Sequence, residues 1–295
     1  SPSRGADRFQ DLHSIRHEKE IPMNQNPQDT RTFPGATQPS ASAPRNPPIR
    51  FGMFMGPFHA TNLDPTLALE RDLQLMVHLD RLGFDEAWIG EHHSGGFEII
   101  ASPEVFIAAA AERTRHIRLG TGVKSLPYHH PFVVAETMAQ LDHMTRGRVM
   151  FGAGPGALPS DAKMIGLSPV NMRPRMDESL DCIVRLLRGE TVTRKTDWFE
   201  LVDARLSVGC YTQPCMEIAL ASIRSPSGVL AAGRHGAGVM VLSGVDDESL
   251  RHHMANWKIY EDTCAKHGHV ADRRRWQFAI QMHLAETREQ AWKDV

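Results

Sequence analysis

Glu91, His92 and His93 set a carboxylate beside two imidazoles. Such a triplet can supply an acid or base tuned near neutral pH. A second stretch, "ASIRSPSG", offers Ser222, Arg224, Ser225, Ser227 and Gly228 at the start of a helical pattern. Hydroxyls, a guanidinium and free helix N–H groups together suit an anion such as phosphate. A third, "RVMFGAGPGALPSD" (148–161), places Gly152, Gly154 and Ala157 in the spacing G-x-G-x-x-[G/A] of a dinucleotide-binding turn. Histidines and serine-rich helix starts are common without any ligand. The elements that hold these residues therefore decide their meaning.

From Ile49 onward, short apolar runs alternate with helical patterns. Strands are expected at 49–55, 84–90, 117–123, 148–154, 216–221, 237–243 and 276–285. Helices fall between them, at 64–83, 102–114, 131–145, 173–189, 227–236 and 246–267, the first with Asp64 as N-cap, Pro65 at N1 and Gly83 as its stop. A polar, strand-like excursion at 197–215 interrupts the alternation. Repeated βα units with buried strands imply a parallel sheet, either a (β/α)8 barrel lacking its last unit or a doubly wound open sheet. Residues 1–48 hold 8 of the 19 prolines in a polar, low-complexity tract and read as a disordered tail, in which residues 1–22, ahead of Met23, read as an upstream addition. The folded domain is expected to span 49–295.

The 295 residues are 41% hydrophobic and 23% charged, with a net charge of −2 and no basic stripe, which argues against nucleic acid as a partner. The chain lacks a long apolar run and a secretory signal pattern, so the expectation is a cytoplasmic protein with no membrane association. The four cysteines are irregularly spaced and read as buried free thiols. None of the histidine doublets has a metal-ligand spacing, so no metal is expected.

In either architecture, function gathers at the C-terminal ends of the strands. Those ends carry Phe58-His59, Glu91-His92-His93, Gly122 to Lys124 with "SLPYHHP", "GPGALPSD" and "SIRSPSG". The polar and glycine-rich stretches thus converge on one rim. The dinucleotide reading fails on order: its turn belongs after the first strand, with an acid about 20 residues on closing the second. Here the turn follows the fourth strand, Asp177 and Glu178 lie in a helical pattern, and Pro159 is read as an interruption of the helix a phosphate would need.

The ordered set "FGMFMGPFH", "GFDEAWIGEHH", "RLGTGV", "SLPYHHPFVVAE", "AQLDHMTRGRVMFGAGPG", "RPRMDESLDCIVRLLRGE" and "IALASIRSPSGVLAAGRHGAGVM" resembles the bacterial luciferase-like flavin-dependent monooxygenases, especially their limonene-monooxygenase-like branch. The resemblance covers residues 50 to about 285 in the family's order. It implies a TIM (β/α)8 barrel, here lacking its last βα unit. It also implies reduced FMN supplied by a separate flavin reductase, dioxygen as co-substrate, and a small organic substrate. His92 falls where the family has its catalytic histidine, flanked by Glu91 and His93. Gly122-Val123 falls on a non-proline cis peptide beneath the flavin ring. "ASIRSPSG" takes the place of the flavin-phosphate segment. Gly154 stands where luciferase has a reactive cysteine, which argues against aldehyde luminescence chemistry. A homo-oligomer is expected. Two alternatives share the fold: a dehydrogenase dependent on the deazaflavin coenzyme F420, and a non-catalytic flavin-binding relative.

Overall fold

The computed structural model describes residues 49–56, 58–242, 244 and 246–295; the expected disorder of residues 1–48 lies outside the described residues. Seven parallel strands form one curled sheet: β1 (Gly52–Met55), β2 (Glu86–Ile89), β3 (Arg118–Thr121), β5 (Val149–Gly154), β8 (Glu217–Ser222), β9 (Gly238–Leu242) and β10 (Trp276–Ala279), hydrogen-bonded in that order. A two-residue strand, β4 (Lys124–Ser125), extends the contact with β5. Helices α1 (Pro65–Leu82), α2 (Pro103–Arg113), α3 (Pro131–Thr145), α5 (Met172–Leu187), α6 (Ser227–His235) and α7 (Asp247–Lys266) alternate with the strands, with short α4 (Pro159–Met164) and α8 (Arg288–Asp294) added. This is a nearly closed barrel. Among the described residues, no ladder joins β1 to β10.

The period-2 alternation of the strands separates two cores. Ala87, Ile89, Leu119, Val149, Phe151, Ile218, Leu220, Val239 and Val241 belong to a large cluster shared with the helices. Trp88, Met150, Ala219 and Met240 form a separate buried cluster, the packed layer inside the barrel. Beneath that layer, at the N-terminal ends of the strands, Arg118 meets Glu217 at 2.9 Å. Arg50 reaches across the curl to Glu217 at 3.5 Å, Glu86 at 3.6 Å and the Arg274 carbonyl at 3.0 Å. Charges plug that end, leaving the opposite rim for function.

Local signals set the boundaries. Asp64 accepts from Thr66 N and Leu67 N at the start of α1, and Gly83 closes it at φ 79°, where a side chain would be strained. Two expectations change. The last strand ends at Ala279 and not at residue 285; among the described residues its only ladder partner is β9, whose Leu242 lies opposite Ala279. The excursion begins earlier than expected, as an antiparallel hairpin of β6 (Val192–Lys195) and β7 (Glu200–Ala204). The cysteines are free; Cys182, Cys210 and Cys264 are buried and Cys215 is half-buried. Among the described residues, no helix is long and apolar enough to cross a membrane.

The strand that leads to the site is anchored from α1. Asp80 accepts from the backbone N–H groups of Arg115, His116 and Ile117 at 2.9, 2.8 and 2.7 Å, fixing the turn into β3. Replacing Asp80 by Ala leaves those donors without their acceptor. The urea midpoint is expected to fall by the equivalent of about 2 kcal/mol; an unchanged midpoint would show that the turn does not depend on this carboxylate.

Candidate functional site

At the C-terminal rim, Glu91 follows β2 and is buried, with no side-chain exposure. Its Oε2 accepts the Ser125 N–H at 2.7 Å, and its Oε1 meets His129 Nε2 at 2.6 Å and His93 Nε2 at 3.1 Å. The ammonium of buried Lys124 lies 3.5 Å from the same Oε1 and 2.7 Å from Glu104. Burial pushes the Glu91 carboxyl up, but the two histidines and Lys124 outweigh it and hold the group at about 2. In return the Glu91 hydrogen bond raises His93 against its own burial. Glu91, His93 and His129 each offer a ligand atom within 4.8 Å of the others, a spacing a metal could use. The Lys124 ammonium already supplies the positive charge there, so the cluster reads as a neutralised carboxylate.

His92 belongs to a different group. Its Nδ1 pairs with Asp161 of α4 at 3.1 Å, and its Nε2 faces Glu98 at 3.4 Å. Asp161 also accepts from Ser94 Oγ and from the His93 backbone N–H at 3.1 Å. Burial works to raise its carboxyl, and these donors keep it below the usual range. The triplet thus divides. His92 sits between two carboxylates, while Glu91 and His93 join a cluster whose polar atoms are mutually engaged. Glu91, expected beside His92 as a catalytic group, lies instead among His93, His129, Ser125 N and Lys124.

The glycines of the third stretch line the barrel interior. Gly152 and Gly154 share strand parity with inward-facing Met150, and Ala221 shares it with Ala219. Above the Trp88 layer the interior is therefore lined by small residues. The Gly122–Val123 peptide bond is cis, as the resemblance implied. A Cβ added at Gly154 would come within 2.7 Å of Val123 Cγ2 and 3.5 Å of Ala221 Cβ, so a side chain there would fill this floor. Gly156 has φ 84° beside the Tyr128 ring. The Tyr128 hydroxyl is buried with no hydrogen-bond partner, and its pKa is pushed up to about 12 by burial and by the charges of Asp161 and Glu91.

The expected phosphate segment lies across the rim. Ser222 ends β8 with a buried, unpartnered Oγ. Ser225 Oγ lies 3.1 Å from Ser227 Oγ, and Gly228 packs the first turn of α6 against the Ala221 carbonyl. The N-cap of α6 is Pro226; Ser225 Oγ accepts the Ser227 N–H at 3.3 Å, and among the described residues no side chain caps the N–H groups of Gly228 and Val229. Arg224 is exposed and points its charge at Glu248, 3.9 Å away. The guanidinium bonded to Ser227 is instead that of Arg173, from α5, a residue that sequence reasoning missed. Glu98 was missed likewise; Lys124, His129 and Asp161 lie in strand-end stretches that the sequence placed at the rim, but it did not single them out. Pro159, read as an interruption, is in fact the first residue of α4, where its missing N–H costs nothing. A cleft of about 230 Å³ lined by His59, Leu63, Ala68 and Ile99 adjoins the rim.

A barrel of this topology with its polar groups on one rim defines a class of α/β enzyme fold. Within that class, residues 49–295 match the family described as luciferase-like monooxygenase, and the chain belongs to it. Limonene 1,2-monooxygenase of Rhodococcus erythropolis is 51% identical over 247 residues, which are 84% of this chain and 63% of that protein. A 4-hydroxyprotoasukamycin monooxygenase of Streptomyces nodosus subsp. asukaensis is 49% identical over 255 residues, 84% of this chain and 67% of that protein. The chain thus spans about two thirds of these relatives' length. Among solved structures, the oxygenating constituent of 3,6-diketocamphane monooxygenase of Pseudomonas putida, in complex with FMN, shares the fold with a TM-score of 0.73. Its identity is 23%, and the match covers 82% of this chain and 69% of that one.

Glu91 has a depressed pKa, so its contribution is present above the ordinary carboxylate value of 4.5 and is lost as pH falls toward about 2. Glu91→Gln is expected to lower stability at pH 7 by about 3 kcal/mol, because Lys124 then loses a buried counter-charge. Urea midpoints of wild type and variant should converge as pH drops from 4.5 toward 2. A difference that stays constant with pH would contradict an ionised Glu91.

Proposed function

We propose that the protein is a flavin-dependent monooxygenase that takes up reduced FMN from a separate reductase and uses dioxygen to oxidise a small organic substrate. The observation that carries this reading is the small-residue floor of Gly152, Gly154 and Ala221 beside Val123, with Arg173, Ser227 and Gly228 lining a recess next to Ala221. A flat, phosphorylated ligand matches that shape. Two buried hydroxyls, on Tyr128 and Ser222, retain hydrogen-bonding capacity for it. Arg173, Ser225, Ser227 and the first N–H groups of α6 would hold the phosphate. Bound there, reduced FMN would supply the electrons that activate dioxygen.

The residues around that space would do the remaining work. Val123 would support the ring, the packed Trp88 layer would close the barrel to water from below, and His92 would hold or move a proton at the reacting end. Asp161 would fix the His92 ring. Two relatives near half identity are monooxygenases by name, which supports oxygenation over deazaflavin-dependent hydride transfer. Limonene, the substrate in the name of the 51% identical relative, is the first to test.

The test combines titration with FMN and with coenzyme F420, followed by absorbance, and product formation in the presence of a flavin reductase, NADH and limonene. Saturable FMN binding with substrate-dependent product is expected, and His92→Ala should lower product formation about 100-fold. Binding of F420 alone would favour the dehydrogenase alternative. FMN binding without product from any small organic substrate would favour the non-catalytic one. Unchanged turnover in His92→Ala would remove that residue's role.

A further inference from the structure

Glu98 is a largely buried acid at the rim with few donors around it. It lies in the segment after Gly95 and Gly96, pinned by an antiparallel bridge to Phe58 from the loop after β1. Its side chain is 7% exposed, yet the only charged partner within reach is His92 Nε2 at 3.4 Å, and its carboxylate accepts no hydrogen bond among the described residues. A carboxylate with so few donors is costly to keep ionised. The other ring nitrogen of His92 is fixed by Asp161, an acid supplied with its own donors. One acid is thus equipped to stay charged and the other is not.

We propose that Glu98 shares one mobile proton with His92, so that Glu98, His92 and Asp161 form a relay in which Glu98 is a positioning and proton-sharing residue for the ring. With Asp161 ionised and accepting Nδ1–H, the Nε2 lone pair faces Glu98. The proton passes from the Glu98 carboxyl O–H to Nε2. The O–H bond breaks, an N–H bond forms, and a carboxylate and an imidazolium remain, with no electron exchanged. The net charge of the three groups is the same before and after the transfer, and the two charges it creates form as an ion pair 3.4 Å apart, with Asp161 on the other side of the ring. Burial, together with the negative charge of Asp161, raises the Glu98 carboxyl, while the His92 charge opposes both.

Among the other ionisable groups nearby, the Tyr128 hydroxyl, pushed up to about 12 chiefly by burial, keeps its proton near neutral pH, and the histidines and Lys124 are already engaged. From the loop after β1, His59 is held by Asp72 at 2.9 Å. From the β2 end and the segment after β3, His93, Lys124 and His129 surround Glu91. Glu98 and His92 are left to answer to one another and to Asp161. The use of this proton in oxygenation rests on the flavin reading; the sharing itself does not.

The experiment follows the ring nitrogens of His92 by NMR against pH in the cofactor-free protein. In Glu98→Gln, a near-isosteric change, the His92 Nε2 signal and its pH profile should depart from those of the wild type, because the carboxyl that shares the proton is gone. A His92 curve identical in wild type and variant would overturn the proposal. Should Glu98→Gln fail to fold, His92→Gln with labelled glutamate carboxyls reads the same coupling from the other side. The Glu98 midpoint should rise, because burial and Asp161 then act unopposed. An unshifted Glu98 midpoint would overturn the proposal as well. Neither measurement needs flavin, so failure here and failure to bind FMN are separate results.

Discussion

A carboxylate with no exposure to water must be met by positive charge and hydrogen-bond donors, or it does not stay ionised. Glu91 is that carboxylate, and meeting it gathers much of the rim. Ser125 N and Lys124 come from the segment just beyond the Gly122–Val123 bond, and His129 from the turn that follows. His93 comes from the same loop as Glu91 itself. The end of β2 is thereby fastened to the chain leaving β3, which sets where Val123 lies and where the loop bearing His92 begins. A second set of groups, His92 with Asp161 and Glu98, stands apart from that cluster, and the proposed proton chemistry is assigned to it.

Much of the frame was legible in the sequence because it rests on local rules. Strand and helix alternation, the Asp64 cap, the Gly83 stop and the convergence of polar stretches on one rim all follow from periodicity and capping chemistry. The extent of β10 did not, since a strand's length depends on the ladder of its neighbour: residues 280–285 keep an apolar pattern but pair with no strand among the described residues. The hairpin of β6 and β7 was only partly visible, because its first strand, "VTRK", is polar and pairs locally with β7.

The partners of the site were less legible than its members. Asp161 stands 69 residues from His92 and Arg173 stands 54 from Ser227. No spacing rule links either pair; only the barrel brings them together. Glu98, six residues beyond His92, carries no motif at all and becomes informative through its burial. Arg224 shows the converse, a basic residue in the right stretch that turns toward Glu248. The glycines of "FGAGPG" matched a nucleotide-binding spacing letter for letter. In the structure two of them are inward positions of a barrel strand, where the lack of a side chain keeps the floor above Trp88 open.

The central claim is that this floor and the start of α6 hold one phosphorylated flavin. It is tested most directly by comparing the affinities of FMN and riboflavin, followed by quenching of flavin fluorescence. The two ligands share a ring and differ in the phosphate. FMN is predicted to bind at least about tenfold more tightly, with the margin lost in Arg173→Ala. Equal affinity for the two flavins in the unaltered protein would contradict the account.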